Sequence, residues 1–255
     1  MDTYRDPMRD KSNLDIEDWN RIADRYLDNG DSGGPTANPM YLQLKSVLWE
    51  CLGDVHGLQV LDLGCGDGWF SSVLVDASAS VVSIDGSLRL LEHGQARDRR
   101  VTFLQADLAL GLPEGLEKFD RVVSLMVLMD IPELDLLFAD LRNVIAETGR
   151  FIFVILHPCT FQYKIQFDEA RQEWYRRMTN YQDQQVWRID SFGGHNHYHR
   201  NLTYYADLLR RHRFAITRLY EPEWNPEPSA ENAHVVRRWP ICLLVEARPM
   251  QAEQI

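Results

Sequence analysis

The chain has 255 residues, with 27 basic and 38 acidic side chains for a formal net charge of −11. Hydrophobic residues make up 45 % and charged residues 25 %, a globular composition too apolar for intrinsic disorder. The negative balance argues against a nucleic-acid partner, whose phosphates are neutralised by Lys and Arg, and no apolar run approaches the ~18–20 residues of a membrane span.

Residues 1–19 carry no apolar stretch, which argues against a secretory signal. Residues 13–29 place Ile16, Trp19, Ile22, Ala23, Tyr26 and Leu27 at helical spacing, with Asn13 and Asp15 as caps and Gly30 as the stop. A turn-rich loop leads into a second helix over 40–52. Residues 58–63, LQVLDL, then read as a strand buried on both faces. A glycine-rich turn and a helix over about 69–78 follow, then strands at 80–85, 101–107 and 119–128. A helix begins at Ser87, and a strongly amphipathic one spans 132–147, with Pro132 in its first turn and Gly149 at its end. Residues 150–156 form the fifth strand. This alternation predicts a doubly wound, mostly parallel sheet. Residues 158–200 break the rhythm and are rich in aromatics, Gln, Arg and His; Tyr163, Trp174, Tyr175, Tyr181 and Trp187 read as the core of a lid. A helix near 202–212 and two closing antiparallel strands bring the count to seven. The expected organisation is an N-terminal helical cap (1–56), a core (57–157), a lid insertion (158–200) and the rest of the core sheet (201–255).

Chemistry concentrates where the first strand ends. From Leu63 the chain turns through Gly64, Cys65, Gly66, Asp67 and Gly68, at the place where open α/β sheets bind ligands. The third glycine of a dinucleotide fingerprint would fall on Trp69, so that match fails, and no lysine makes a phosphate loop. Asp62 and Asp67 flank the turn and suit a ligand with a cationic end. Asp85 ends the second strand 19 residues after Gly66, where a carboxylate can accept both hydroxyls of a ribose. Asp107 ends the third strand and could accept a proton from an exocyclic adenine amine. Together these residues describe an adenosine with an amino-acid tail and no phosphate.

The segments Leu61-Asp-Leu-Gly-Cys-Gly-Asp-Gly68, Ser83-Ile-Asp-Gly-Ser87, Ala106-Asp-Leu108 and Phe119-Asp-Arg-Val-Val-Ser-Leu-Met126 occur in that order. In this the chain resembles the class I S-adenosylmethionine-dependent methyltransferases, over roughly residues 58–157. The resemblance implies a Rossmann-like, seven-stranded fold and S-adenosyl-L-methionine as cofactor, with S-adenosyl-L-homocysteine as product. It implies cofactor contacts at Asp62, Gly64, Cys65 and Gly66, at Asp85 and Gly86, and at Asp107 and Leu108. It adds a backbone contact near Leu125 or Met126, and Tyr26 resembles an aromatic laid over the cofactor. Leu156-His-Pro-Cys159, Tyr198 to Tyr205 and Phe214 to Pro222 look like a bacterial small-molecule branch, similar to ubiquinone- and menaquinone-type methyltransferases. Where such relatives often carry His-His after the fourth strand, Met129-Asp130 stands here, and Arg213 stands where they often have Gly.

These readings lead to transfer of a methyl group to an O, N or C atom of a small organic molecule. His157 or His199 is the candidate base, because histidine suits proton removal near neutral pH. His195, His197 and His199 alternate, but in a glycine-led loop they read as solvated or substrate-facing, and no metal is expected. The alternatives are a non-methylating enzyme on the same cofactor, such as a cyclase, and an NAD-dependent oxidoreductase. Cys51, Cys65, Cys159 and Cys242 form no CxxC pair, so a reducing, cytoplasmic setting is expected. The oligomeric state stays open, with a homodimer allowed.

Overall fold

The computed structural model describes residues 7–28, 39–161, 163–190, 193–223, 235 and 238–251. The expected stop at Gly30, its loop and most of the connection after Glu223 lie outside them.

Two helices, α1 (Pro7–Asp28) and α2 (Pro39–Leu52), precede the sheet. Then come β1 (Gln59–Leu63), α3 (Trp69–Asp76), β2 (Ser80–Asp85), α4 (Leu88–Arg97), β3 (Thr102–Gln105), β4 (Phe119–Leu125), α5 (Asp135–Val144) and β5 (Ile145–Leu156). After four short strands, β6 (Ile165–Asp168), β7 (Glu173–Arg176), β8 (Gln185–Ile189) and β9 (His195–His199), the chain closes with α6 (Leu202–Arg211), β10 (Phe214–Tyr220) and β11 (Cys242–Pro249). The seven-stranded sheet has the order β10-β11-β5-β4-β1-β2-β3. Its β1 to β5 pairings are parallel, and β11 runs antiparallel to both β5 and β10.

Successive side chains of the central strands enter opposite cores, as a strand's period of two requires. Leu61, Val122, Phe151 and Phe153 pack into the layer of α5 and α6, whereas Val60, Val123, Ile152 and Val154 pack toward α2 and α3. That two-sided burial explains the unbroken apolar runs.

Several sequence expectations need correction. Helix α1 starts six residues before Asn13, with Pro7 in its first turn. Asp15 is therefore not a cap: it is buried mid-helix. Helix α5 begins at Asp135, because the Pro132 carbonyl is held by Arg200 and Glu133 Oε1 accepts from the Leu134 N–H. It ends at Val144, and Ile145 already pairs with Phe119. Gly149 lies inside β5, in a bulge where a Cβ would sit 2.6 Å from the Ile145 side chain.

The 158–200 segment contains two antiparallel pairs, β6–β7 and β8–β9. His195, His197 and His199 are buried on β9 rather than solvated. The Trp19 ring lies 4.7 Å from that of His195, and Trp187 stacks on His197. Of the expected lid aromatics, Tyr163 is buried and Tyr175 is exposed. Among the described residues no cluster of three metal-binding side chains occurs, and no helix is long and apolar enough to cross a membrane.

Candidate functional site

The sheet order places β1 between β2 and β4, so the connections after β1 and β4 diverge at one point. Such a switch point opens a crevice at the carboxyl ends of the strands. A cavity of about 350 Å³ lies there. Its floor comes from the β1, β2 and β4 ends, and its roof from α1 and the β8–β9 pair.

The floor is main chain held by carboxylates. The Gly64 N–H donates to the Ile84 carbonyl at 2.7 Å. Gly64 has φ +68, and a Cβ there would meet the Val127 side chain at 2.3 Å, so only glycine lets the turn pass beneath β4's end. Asp85 accepts the Gly66 N–H at 2.9 Å on one oxygen and the Ser87 N–H at 2.8 Å on the other. A carboxylate has about four acceptor sites, so capacity remains for a ligand hydroxyl. Asp107 Oδ1 accepts from Ser12 at 2.7 Å and from the Ala109 N–H at 2.9 Å. Its Oδ2 is buried without a hydrogen-bond partner. Met126 takes φ 63, an uncommon left-handed backbone for a side-chain-bearing residue, at the end of β4.

The residues anticipated from the sequence divide as follows. Tyr26, Gly64, Gly66, Asp85 and Gly86 line this cavity, as do Asp107, Leu108, Leu125 and Met126. Asp62 and Cys65 line an adjoining cavity of about 90 Å³ that shares Tyr26, Gly64, Leu125 and Met126 with the first. Burial pushes the Asp62 carboxyl up to about 7, although Ser71 donates to it at 2.6 Å. Asp67 turns away and pairs with Arg97.

His157 and His199 line neither cavity. His157 Nε2 lies 2.7 Å from Glu221 Oε1, and its Nδ1 accepts from the Cys159 N–H at 3.2 Å. With both ring nitrogens engaged, it seals the end of β5. His199 Nε2 lies 3.0 Å from the Tyr181 carbonyl. The histidine on the cavity wall is His195, whose pKa burial lowers to about 4.

Sequence reasoning anticipated a helical cap and a lid here but missed the polar residues of this roof. Asp15 accepts from Tyr198 at 2.5 Å and from Asn196 at 2.7 Å. Asp130 follows β4 with a side chain 9 % exposed and with Oδ1 unpartnered. Arg200 holds the segment around it, donating to the carbonyls of Leu128, Ile131 and Pro132 at 3.0, 2.7 and 2.9 Å. Among the described residues, Asp15, Asp85, Asp107 and Asp130 line this cavity and no Lys or Arg does.

Residues 54–206 match the family described as "Methyltransferase domain". The chain belongs to that family. The methyltransferase domain's switch-point cavity is the one just described. A malonyl-[acyl-carrier protein] O-methyltransferase of Erwinia pyrifoliae is 32% identical over 40% of this chain, and the match spans only 38% of that relative's length. A ubiquinone biosynthesis O-methyltransferase of Pelagibacter ubique is 22% identical over 58% of this chain and 67% of its own. Among solved structures, an S-adenosylmethionine-dependent methyltransferase of Mesorhizobium loti shows 27% identity and a TM-score of 0.66, covering 81% of this chain and 97% of that one. The glycopeptide N-methyltransferase MtfA, solved with S-adenosyl-L-methionine, shares the fold at 17% identity and a TM-score of 0.56, over 81% of this chain and 93% of its own.

Proposed function

We propose that this methyltransferase domain binds S-adenosyl-L-methionine and transfers its methyl group to an O, N or C atom of a small organic molecule, releasing S-adenosyl-L-homocysteine. The observation that carries this is the cavity floor: Asp85 and Asp107 line it, and no described lysine or arginine lines the cavity. A dinucleotide's pyrophosphate would meet only repulsion there, whereas a sulfonium with an α-ammonium is electrostatically matched.

The residues present fit that cofactor. Asp85 would take the ribose hydroxyls on its remaining acceptor capacity. Asp107 Oδ2, buried without a partner, would accept from the adenine amine. Asp62, on the adjoining cavity, would face the amino-acid tail, where an ammonium would restore its ionised form. Tyr26, on both cavities, would cover the join between nucleoside and tail.

The cofactor, when bound, supplies a methyl group already activated by the sulfonium. What remains for the chain is proximity, orientation and exclusion of water. The α1 helix and the β8–β9 pair serve as the cover, and 158–200 reads as a lid over a small acceptor; 350 Å³ is within the range of small-molecule sites, ~300–1,000 Å³. The four cysteines are free, in keeping with a cytoplasmic setting, and a homodimer remains allowed.

Calorimetry tests the cofactor reading. S-adenosyl-L-homocysteine should bind one-to-one, and NADH should not compete. Absence of binding by both S-adenosyl-L-methionine and its demethylated product rejects the proposal. Mass analysis of acceptor mixtures turned over with methyl-deuterated cofactor then separates transfer from cyclisation, because only transfer leaves the label on the acceptor.

A further inference from the structure

Beyond the nucleoside floor, the cavity wall turns apolar: Trp19, Met129, Ile131, Leu156, Phe161 and Ile189 face it. Within that apolar half stands one carboxyl group whose hydrogen bonding is incomplete. Asp130 Oδ1 is buried and has no hydrogen-bond partner. Its nearest charged-capable neighbour, His197 Nδ1, lies 3.9 Å away and is likewise unpartnered. Arg200 is close enough to lower the Asp130 pKa, but its described hydrogen bonds go to three carbonyls. Asp15, the other acid of this half, is already satisfied by Tyr198 and Asn196.

Granting the methyltransferase reading above, we infer that Asp130 selects the acceptor, and that the acceptor carries a basic amine on a flat or apolar frame. The wall supplies the frame's contacts. The amine supplies the donor and the positive charge that Asp130 lacks. An acceptor bearing a carboxylate or phosphate would face Asp15 and Asp130 together and is disfavoured. A neutral acceptor leaves the buried carboxyl uncompensated.

The protonation of the wall agrees. Burial drives the Asp130 pKa well above its ordinary value, with Asp15 adding to the rise, and burial lowers His197 to about 3. His197 therefore brings no cation to Asp130. An ammonium arriving beside Asp130 favours its carboxylate form and leaves an ion pair.

The test is calorimetry on the full chain saturated with S-adenosyl-L-homocysteine, using 2-phenylethylamine, 2-phenylethanol and 3-phenylpropionate, three probes with one aryl frame and different charge. The amine should bind at least about tenfold tighter than the alcohol, with the carboxylate weakest. Asp130→Asn should abolish the amine's advantage and leave affinity for S-adenosyl-L-homocysteine unchanged. The inference is overturned if the carboxylate matches the amine in the wild type, if no probe binds, or if the preference survives Asp130→Asn. It is also overturned if Asp130→Asn weakens S-adenosyl-L-methionine alone, which would make Asp130 the sulfonium's partner. Should Asp130→Asn fail to fold, the wild-type ranking decides. Failure of the wild type to bind S-adenosyl-L-homocysteine would sink the methyltransferase reading instead, and the same three probes on the unliganded chain would still decide the amine preference.

Discussion

The floor and the roof of the cavity are made in different ways. The floor is local: one strand–turn–helix passage brings Gly64 and Gly66 under Asp85, and main-chain N–H groups do the holding. The roof is assembled from α1, the segment after β4, and β9, elements separated by more than a hundred residues at the Asp15–Tyr198 contact. Its contacts are made largely by side chains, to one another at Asp15 and to carbonyls at Arg200. A floor of that kind can be shared by many relatives, while a roof of that kind can vary with the acceptor.

The largest expected effect tests the floor. Asp85→Ala removes two hydrogen bonds to a charged group, each worth about 1.5–3 kcal/mol, besides the ligand contact. Affinity for S-adenosyl-L-homocysteine should fall at least ~100-fold by calorimetry. Next, Tyr198→Phe strips one donor from buried Asp15 and should cost about 1–3 kcal/mol of stability in urea unfolding, with cofactor affinity preserved. If affinity falls in step, floor and roof are not separable.

Asp62 gives a pH signature of the floor. Its carboxyl is pushed from 3.8 up to about 7, so between those values the folded chain keeps a proton that the unfolded chain has lost. This group's contribution to stability therefore declines as pH rises through that window, by up to about 1.4 kcal/mol per pH unit, and levels off above it. Asp62→Asn should flatten part of the slope measured by urea midpoints and be the more stable protein above the window.

Smaller still is Arg213→Gly. Arg213 has φ 62, and relief of that backbone should raise stability by up to about 1 kcal/mol in thermal melts. The smallest effect belongs to the two histidines first suspected of catalysis. His157→Ala and His199→Ala should each leave cofactor affinity within about twofold, because neither lines the cavity.

The same contrast explains what was legible beforehand. Asp85, Asp107 and the glycine turn could be read because strand ends and turns follow from local pattern. The cap and lid could be read as segments, but their polar pairings could not, because the partners meet only after folding. Asp15 looks like a cap when read singly. Read with Trp19, Ile22 and Tyr26, it lies on one helical face, and an acidic residue in line with these large apolar and aromatic side chains was the available signal. The β9 histidines looked solvated because Gly193 and Gly194 precede them, and nothing local announced that Trp19 and Trp187 would cover them. At α5, the pattern extended into residues that the sheet captured instead, since Ile145 gains more from pairing beside Phe119 than from another helical turn.

Helix α1 touches both halves at once. Ser12 meets Asp107 and Asn20 accepts from Ser87 below, while Asp15 meets Tyr198 and Trp19 meets His195 above. It cannot lift from one half without uncovering the other, so both halves lie under one latch. On the proposed function, a disulfide bolt between α1 and β9 should slow the exchange of cofactor and acceptor together.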